Sequence, residues 1–187
     1  MKENEQRCRR RGSSTERFLD KEAILRELDI QPGQVVLDVG CGDGYMAREF
    51  SRAAGDAGKV YALERHEDVI EQLRAELKGT NVTPVKGDIT EDTGIDAASV
   101  DLIYLSTVFH IFNDEQVDAF RREVGRVLKP GGKLAIIEID KRETPMGPPQ
   151  DMRSSPEELQ EKIRMTPLSV VRAGEYFYMQ TFRNGDA

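Results

Sequence analysis

Val35-Val36-Leu37-Asp38-Val39-Gly40-Cys41-Gly42-Asp43-Gly44-Tyr45 is the stretch on which the fold turns. Its first five residues form a short apolar, β-branched run, the pattern of a strand buried on both faces. The run ends in three alternating glycines, and Tyr45–Ala54 then continues with amphipathic, helical spacing. Glycine permits positive φ and lets a ligand approach the backbone closely. A glycine turn feeding a helix also presents unpaired N–H groups. Open α/β sheets bind ligands at the carboxyl ends of their strands, so strand, turn and helix together predict a binding loop. Tight strand–helix packing is the other use such glycines serve.

Similar apolar runs recur outward from this point, at Val60–Leu63, Val82–Val85, Leu102–Leu105 and Leu134–Ile139. Amphipathic stretches lie between them at Asp68–Lys78 and Asp114–Leu128, and a first helix carrying Phe18, Leu19, Ala23, Ile24 and Leu28 stops near Pro32-Gly33. Strands alternating with helices predict βαβ units and a parallel sheet covered on both sides. The last third changes character. Lys141–Ser155 holds Pro145, Gly147, Pro148 and Pro149 and reads as an irregular loop. Ser155-Pro156-Glu157-Glu158 reads as a capping box with proline at the first helical position, starting a helix with Leu159 and Ile163. Leu168–Val171 and Tyr176–Phe182 read as an antiparallel hairpin around Ala173-Gly174, at the end of the sheet. The fold class expected is α/β, a Rossmann-like, doubly wound, seven-stranded, mostly parallel sheet with a C-terminal antiparallel hairpin.

The 187 residues suit one domain and leave no room for a second substrate domain of ordinary size. Net charge is −7, which makes the chain as a whole a poor non-specific ligand for nucleic acid or anionic lipid. Residues 2–17 nevertheless hold six Lys or Arg against three acids, including Arg9-Arg10-Arg11. That segment reads as a solvated terminus or as a nucleic-acid tail. The two cysteines, Cys8 and Cys41, make no CxxC pair and no His/Cys cluster, so no metal site is expected and a reducing, cytoplasmic setting fits best. No apolar run is long enough to span a membrane, and the charged N-terminus is no secretory signal.

The loop does not complete a nicotinamide fingerprint from Gly40, because Tyr45 stands where the third glycine belongs. Starting at Gly42, Gly44 fits and Ala47 is a tolerated third position, but Gly40 and Asp38 are then unexplained. The Gly-Lys-Ser/Thr ending of a phosphate loop is absent. Asp38-Val39-Gly40-Cys41-Gly42-Asp43-Gly44 resembles instead the first motif of the class I S-adenosylmethionine-dependent methyltransferases. The likeness extends over residues 30–140 through Glu64, Gly87-Asp88-Ile89, Asp101–Ser106 and Leu128–Leu134. It implies that Asp38, Gly40, Cys41, Gly42 and Gly44 meet the amino-acid part of S-adenosylmethionine. It implies likewise that Glu64 takes the ribose hydroxyls and that Asp88 and the Ile89 N–H meet adenine. Tyr45 and Arg65 would wall the site and Ser106, ending the fourth-strand motif, would be among the cofactor-binding residues, with S-adenosylhomocysteine as product. Asp88 is also an ordinary turn residue, and Tyr45 and Arg65 also suit a helix surface.

Methyl transfer needs positioning and exclusion of water, while a general base depends on the acceptor. His110 is the candidate base or substrate contact; a histidine bonded to a backbone carbonyl is the competing role. Glu138 and Asp140 rank behind it. The chain lacks the Asn/Asp-Pro-Pro-Tyr/Phe motif of nucleic-acid amino methyltransferases and the paired catalytic cysteines of cytosine-C5 or arsenic enzymes. The resemblance is nearest to the small-molecule, quinone-biosynthesis-like branch, with loop 144–150 and the helix from Pro156 as part of a lid. Arg164-Met165-Thr166-Pro167 departs from that branch's usual turn. Residues 1–15 then read as a flexible basic tail and 16–187 as one methyltransferase domain. The acceptor is small, bound in the cleft of a homodimer, or delivered by a partner. A protein or RNA methyltransferase and a non-catalytic S-adenosylmethionine-binding module are the alternatives.

Overall fold

Val35–Val39 is a strand, β1, inside a sheet rather than at its edge. A computed structural model describes residues 16–185; Cys8 and the expected tail lie outside the described residues. The other strands are β2 (Lys59–Glu64), β3 (Val82–Lys86), β4 (Val100–Ser106), β5 (Leu128–Ile139), β6 (Thr166–Gly174) and β7 (Phe177–Arg183). The helices are α1 (Lys21–Leu28), α2 (Tyr45–Ala54), α3 (Glu67–Glu76), α4 (Asp114–Val127) and α5 (Pro156–Ile163). The seven strands run in the order β3-β2-β1-β4-β5-β7-β6. The first five pair in parallel and β7 is antiparallel to both of its neighbours. Strand order reverses between β1 and β4, where a crevice opens outside the carboxyl ends of the strands.

Alternate side chains of each strand reach opposite faces. Val36, Val60, Ala62, Leu102 and Tyr104 meet α1, α2 and α3 on one face. Leu37, Leu63, Ile103, Leu105, Leu134 and Ile136 meet α4 and α5 on the other. The expected double winding is therefore present. Phe50 of α2 is fully buried, its ring edge-on to Tyr104 with centroids 5.0 Å apart, a geometry that adds to the ~2–3 kcal/mol of burying such a ring. The capping box expected at α5 has formed, with Glu158 N–H donating to Ser155 Oγ and Ser155 N–H to Glu158 Oε2. A second box, Asn113 with Gln116, opens α4.

The antiparallel hairpin closes the end of the sheet as expected and departs from its sequence reading in two ways. Its turn is Glu175-Tyr176, so Tyr176 belongs to the turn and not to a strand. Gly174 serves close approach instead: a Cβ there would stand 2.2 Å from the Phe18 carbonyl oxygen, where Leu19 bridges to the end of β6. Within the hairpin the closing strand is the inner one. β7 lies between β5 and β6 and buries both of its faces except at Arg183, so its alternation marks no solvent face. β5 likewise begins at Leu128 instead of Leu134, because Leu128 pairs with Val100 before the register shifts through Lys129–Gly132. Among the described residues no helix is long and apolar enough to cross a membrane.

Candidate functional site

The glycine loop hangs on the end of β2. Gly40 N–H and Cys41 N–H both donate to the Leu63 carbonyl, at 2.9 and 3.1 Å. Gly40, Gly42 and Gly44 all have positive φ, at 68°, 52° and 77°, but their surroundings differ. A Cβ on Gly40 would meet Val108 Cγ2 at 2.9 Å, and one on Gly44 would meet Leu73 Cδ2 at 2.8 Å. A Cβ on Gly42 would meet nothing within 4 Å. Two of the glycines thus serve packing, and the third faces open space. Gly44 is the N-cap of α2 and supplies no side-chain cap; Asp43 Oδ1 accepts from the Tyr45 N–H at 3.1 Å, and the next N–H groups of that helix end are the donors left for a ligand.

Asp38, at the end of β1, is buried. Glu64, at the end of β2, is nearly so, and its Oε1 accepts from the N–H groups of Arg65 and His66 at 2.9 and 3.1 Å. Those bonds fix the carboxylate and leave Oε2 without a hydrogen bond to the described residues. Cys41 lies between the two acids. Burial, with Asp38 and Glu64 beside it, pushes its thiol well above the usual range, so it is a neutral space-filler and no nucleophile. Asp88 and Ile89 follow β3. Asp88 Oδ1 accepts from the N–H and hydroxyl of Thr90 at 2.9 and 2.8 Å, while Ile89 plugs into the core. Tyr45 and Arg65 are both exposed; Lys21 Nζ stands 5.9 Å from the Tyr45 ring centroid.

Ser106 ends β4. Thr107, the next residue, holds φ at 56°, a strained value for a β-branched side chain. Its N–H donates to the Ile137 carbonyl at 2.9 Å. The chain then packs Val108 against Gly40 and turns through Phe109–Ile111. This turn presents His110 to Glu138, a fully buried carboxylate on β5. Glu138 Oε2 lies 2.9 Å from His110 Nδ1, and Oε1 accepts from the His110 N–H at 3.3 Å. One carboxylate therefore grips both the backbone and the ring of a single residue. The histidine's partner is a carboxylate and not the backbone carbonyl of its competing role. An acceptor at Nδ1 puts the ring proton there and leaves Nε2 as the basic nitrogen. Nε2 makes no hydrogen bond among the described residues. Tyr178, opposite Glu138 in the register, donates its hydroxyl to the Ser154 carbonyl at 2.8 Å. Burial, then Glu138, raises its pKa, so it stays a neutral donor.

Asp140 stands apart from this pair. Burial pushes its carboxyl up, but hydrogen bonds from Arg172 and Arg142 outweigh that and hold it below its usual range. Two functional-looking residues escaped the sequence reading. Thr107 carries no motif. Arg153 is an isolated basic residue in a Pro/Gly-rich stretch, yet it is buried and donates to the carbonyls of Asp140, Arg142, Met146 and Pro148 and to Thr144 Oγ1. Its one sequence signal is a lone arginine just before a capping box.

Residues 36–132 match the family model described as methyltransferase domain. The chain is 34% identical over 119 residues to the ubiquinone/menaquinone biosynthesis C-methyltransferase UbiE of Cupriavidus metallidurans, covering 63% of this chain and 48% of that protein. It is 31% identical over 135 residues to the same-named protein of Laribacter hongkongensis, covering 72% and 54%. The chain thus spans about half the length of the curated relatives it matches. A crystal structure of a SAM dependent methyltransferase from Aquifex aeolicus superimposes with a TM-score of 0.80 at 29% identity, covering 89% of this chain and 90% of that one. The matched residues run from β1 through the glycine loop to the start of β5, and the chain belongs to the methyltransferase-domain family.

Proposed function

We propose that the protein binds S-adenosylmethionine at the carboxyl ends of β1 and β2 and transfers its methyl group to a small acceptor. Two features of the site fit that cofactor: the space beside Gly42 that a Cβ would fill, and the Glu64 Oε2 that accepts no hydrogen bond among the described residues. Gly40, Cys41, Gly42 and Gly44 would cradle the amino-acid part with Asp38, and Glu64 would accept from the ribose hydroxyls. Asp88 and the Ile89 N–H would meet adenine, Tyr45 and Arg65 would flank it, and Ser106 would close the floor. The cofactor supplies an electrophilic methyl on a sulfonium, whose positive charge disperses during transfer.

The single observation that carries the acceptor chemistry is the His110–Glu138 pair at 2.9 Å. His110 Nε2 would take the proton of the acceptor as its oxygen, or the carbon activated by it, forms the new bond to methyl. The methyl–sulfur bond breaks and S-adenosylhomocysteine leaves. Glu138 would hold the imidazole in the tautomer that keeps Nε2 basic. A phenolic or enolic acceptor suits such a base, since losing its proton enriches both the oxygen and the adjacent carbon. The curated relatives, named as quinone-biosynthesis C-methyltransferases, favour the same acceptor class. The test is transfer from methyl-tritiated S-adenosylmethionine into a cell extract, separated by size. Label in a small, organic-soluble fraction is expected, base-extractable where carbon has been methylated and neutral where oxygen has; label confined to protein or RNA would overturn the reading.

Gly42→Val gives a separate check on the cofactor loop. No atom of the described residues lies within 4 Å of the new Cβ, so the stability cost is chiefly the positive-φ strain, about 1–2 kcal/mol. The cradle, however, is filled. S-adenosylhomocysteine affinity measured by calorimetry should fall by at least about a hundredfold, roughly 2.7 kcal/mol, with the fold retained by circular dichroism. Wild-type affinity would place the cofactor elsewhere.

A further inference from the structure

Segment 87–99, between β3 and β4, contains no helix or strand, yet it begins with Asp88 and Ile89. Ile89 and Ile95 plug it into the core facing α4. Apolar plugs resist withdrawal but are non-directional, so they do not set its rotation. Backbone hydrogen bonds tie its two ends, Gly87 N–H to the Glu64 carbonyl at 3.1 Å and Ser99 N–H to the Val127 carbonyl at 3.0 Å; the directional anchor of its middle is Glu123 of α4. The apolar stripe of α4 includes Val117, Phe120, Val124 and Val127, and Glu123 is the buried charge at its margin. Glu123 Oε1 accepts from Thr93 N–H at 2.9 Å, Thr93 Oγ1 at 2.7 Å and Arg126 Nη2 at 2.7 Å, and Oε2 accepts from Arg126 Nε at 2.8 Å. Arg126 Nη2 also reaches Asp92 Oδ1 at 3.4 Å, and the Arg126 carbonyl accepts from Ala98 N–H at 2.8 Å.

A buried carboxylate is costly, and packing alone is served as well by an apolar residue. What the carboxylate adds is direction, because two bonds to one residue fix Thr93 in place and in orientation. From Thr93 the chain runs back through a tight turn in which Glu91 N–H donates to the Asp88 carbonyl at 3.0 Å and Thr90 to Asp88 Oδ1. We propose that Glu123 is a positioning residue for adenine recognition, acting through Thr93 to aim Asp88 and the Ile89 N–H. This rests on the reading that those two groups meet adenine. Arg126, through its hydrogen bonds to Glu123, holds that carboxyl down at about 2, so the anchor stays charged throughout the neutral range.

The test is calorimetric titration of the full chain with S-adenosylhomocysteine, together with steady-state kinetics. Glu123→Gln and Thr93→Val should each weaken binding by about tenfold, with KM for S-adenosylmethionine rising in step. The kcat and the acceptor KM should stay at wild-type values, which general loosening of the fold would not allow. Thr93→Ser keeps both donors and should restore wild-type affinity. Asp88→Asn should weaken binding alone and add little on top of Glu123→Gln. If Asp88→Asn weakens binding while Thr93→Val and Glu123→Gln do not, the role of Glu123 is overturned and the adenine reading stands. If Asp88→Asn also binds as wild type, the adenine reading itself falls. Should Glu123→Gln fail to fold, Thr93→Val, close to isosteric, decides alone.

Discussion

His110→Ala should lower kcat by about two to four orders of magnitude and leave the Kd for S-adenosylhomocysteine within about twofold, roughly 0.4 kcal/mol. The separation follows from geometry, because His110 meets Glu138 and not the residues proposed to hold the cofactor. Glu138→Gln should be nearly as damaging, for a reason specific to this pair. Glu138 uses one oxygen for the His110 backbone N–H and the other for Nδ1. An amide has only one oxygen. The backbone N–H needs an acceptor, so the amide oxygen goes there and the NH2 group faces Nδ1. Nδ1 must then accept, the ring proton moves to Nε2, and the nitrogen that should take the acceptor's proton is blocked. Single-turnover transfer to the phenolic acceptor measures both variants. A kcat within about threefold of wild type for His110→Ala, roughly 0.65 kcal/mol, would make the pair a structural clamp.

Arg153→Met should cost about 3–5 kcal/mol of stability, because charged hydrogen bonds are lost and the partners left buried must go unpaired. That corresponds to a fall in Tm of roughly 10 °C for a chain of this size. Arg153 is only 6% exposed, and its guanidinium donates to four carbonyls and a hydroxyl of segment 140–148, with no carboxylate partner among the described residues. It is the template on which that loop is folded. Gly147 assists, since a Cβ there would stand 2.5 Å from Ile139 Cδ1 and lift the loop from the end of β5. Lysine keeps the charge but offers a point donor in place of a planar fork, so Arg153→Lys should recover less than half of the loss. The loop starts two residues after Glu138, and the acceptor KM should rise in both variants while cofactor affinity holds. Thermal unfolding followed by circular dichroism measures the first effect. An unchanged Tm in Arg153→Met would show that the loop is held by its own prolines.

What the chain reveals directly is whatever its local pattern determines. The run Val35–Val39 and its glycines announce a buried parallel strand and a ligand loop because period, β-branching and turn chemistry agree within eleven residues. Ser155–Glu158 announces a helix start for the same reason. The placement of β7 is hidden, since Phe177–Phe182 has the same pattern in the middle of a sheet as at its edge. The pairing of His110 with Glu138 is hidden too. Both residues stand out as candidates, but their joining depends on β4 and β5 lying side by side and on the strained turn at Thr107. Arg153 and Glu123 are invisible for a stronger reason. Charged residues are ordinarily solvated, and only the folded chain surrounds these two with donors and acceptors.

The insertion of β7 between β5 and β6 also has a consequence for the order in which the molecule can be made. Once Ser106 has emerged, β1 and β2 find both of their neighbours among the residues already made, and β4 lacks only β5. β5 and β6 both wait for β7. When β6 emerges, the strand that must separate it from β5 has not yet been synthesised. During that interval β5 presents an open ladder, a state prone to aggregation. The nascent protein thus holds a nearly complete cofactor half beside an unsealed edge, and the final strand acts as a wedge that closes it.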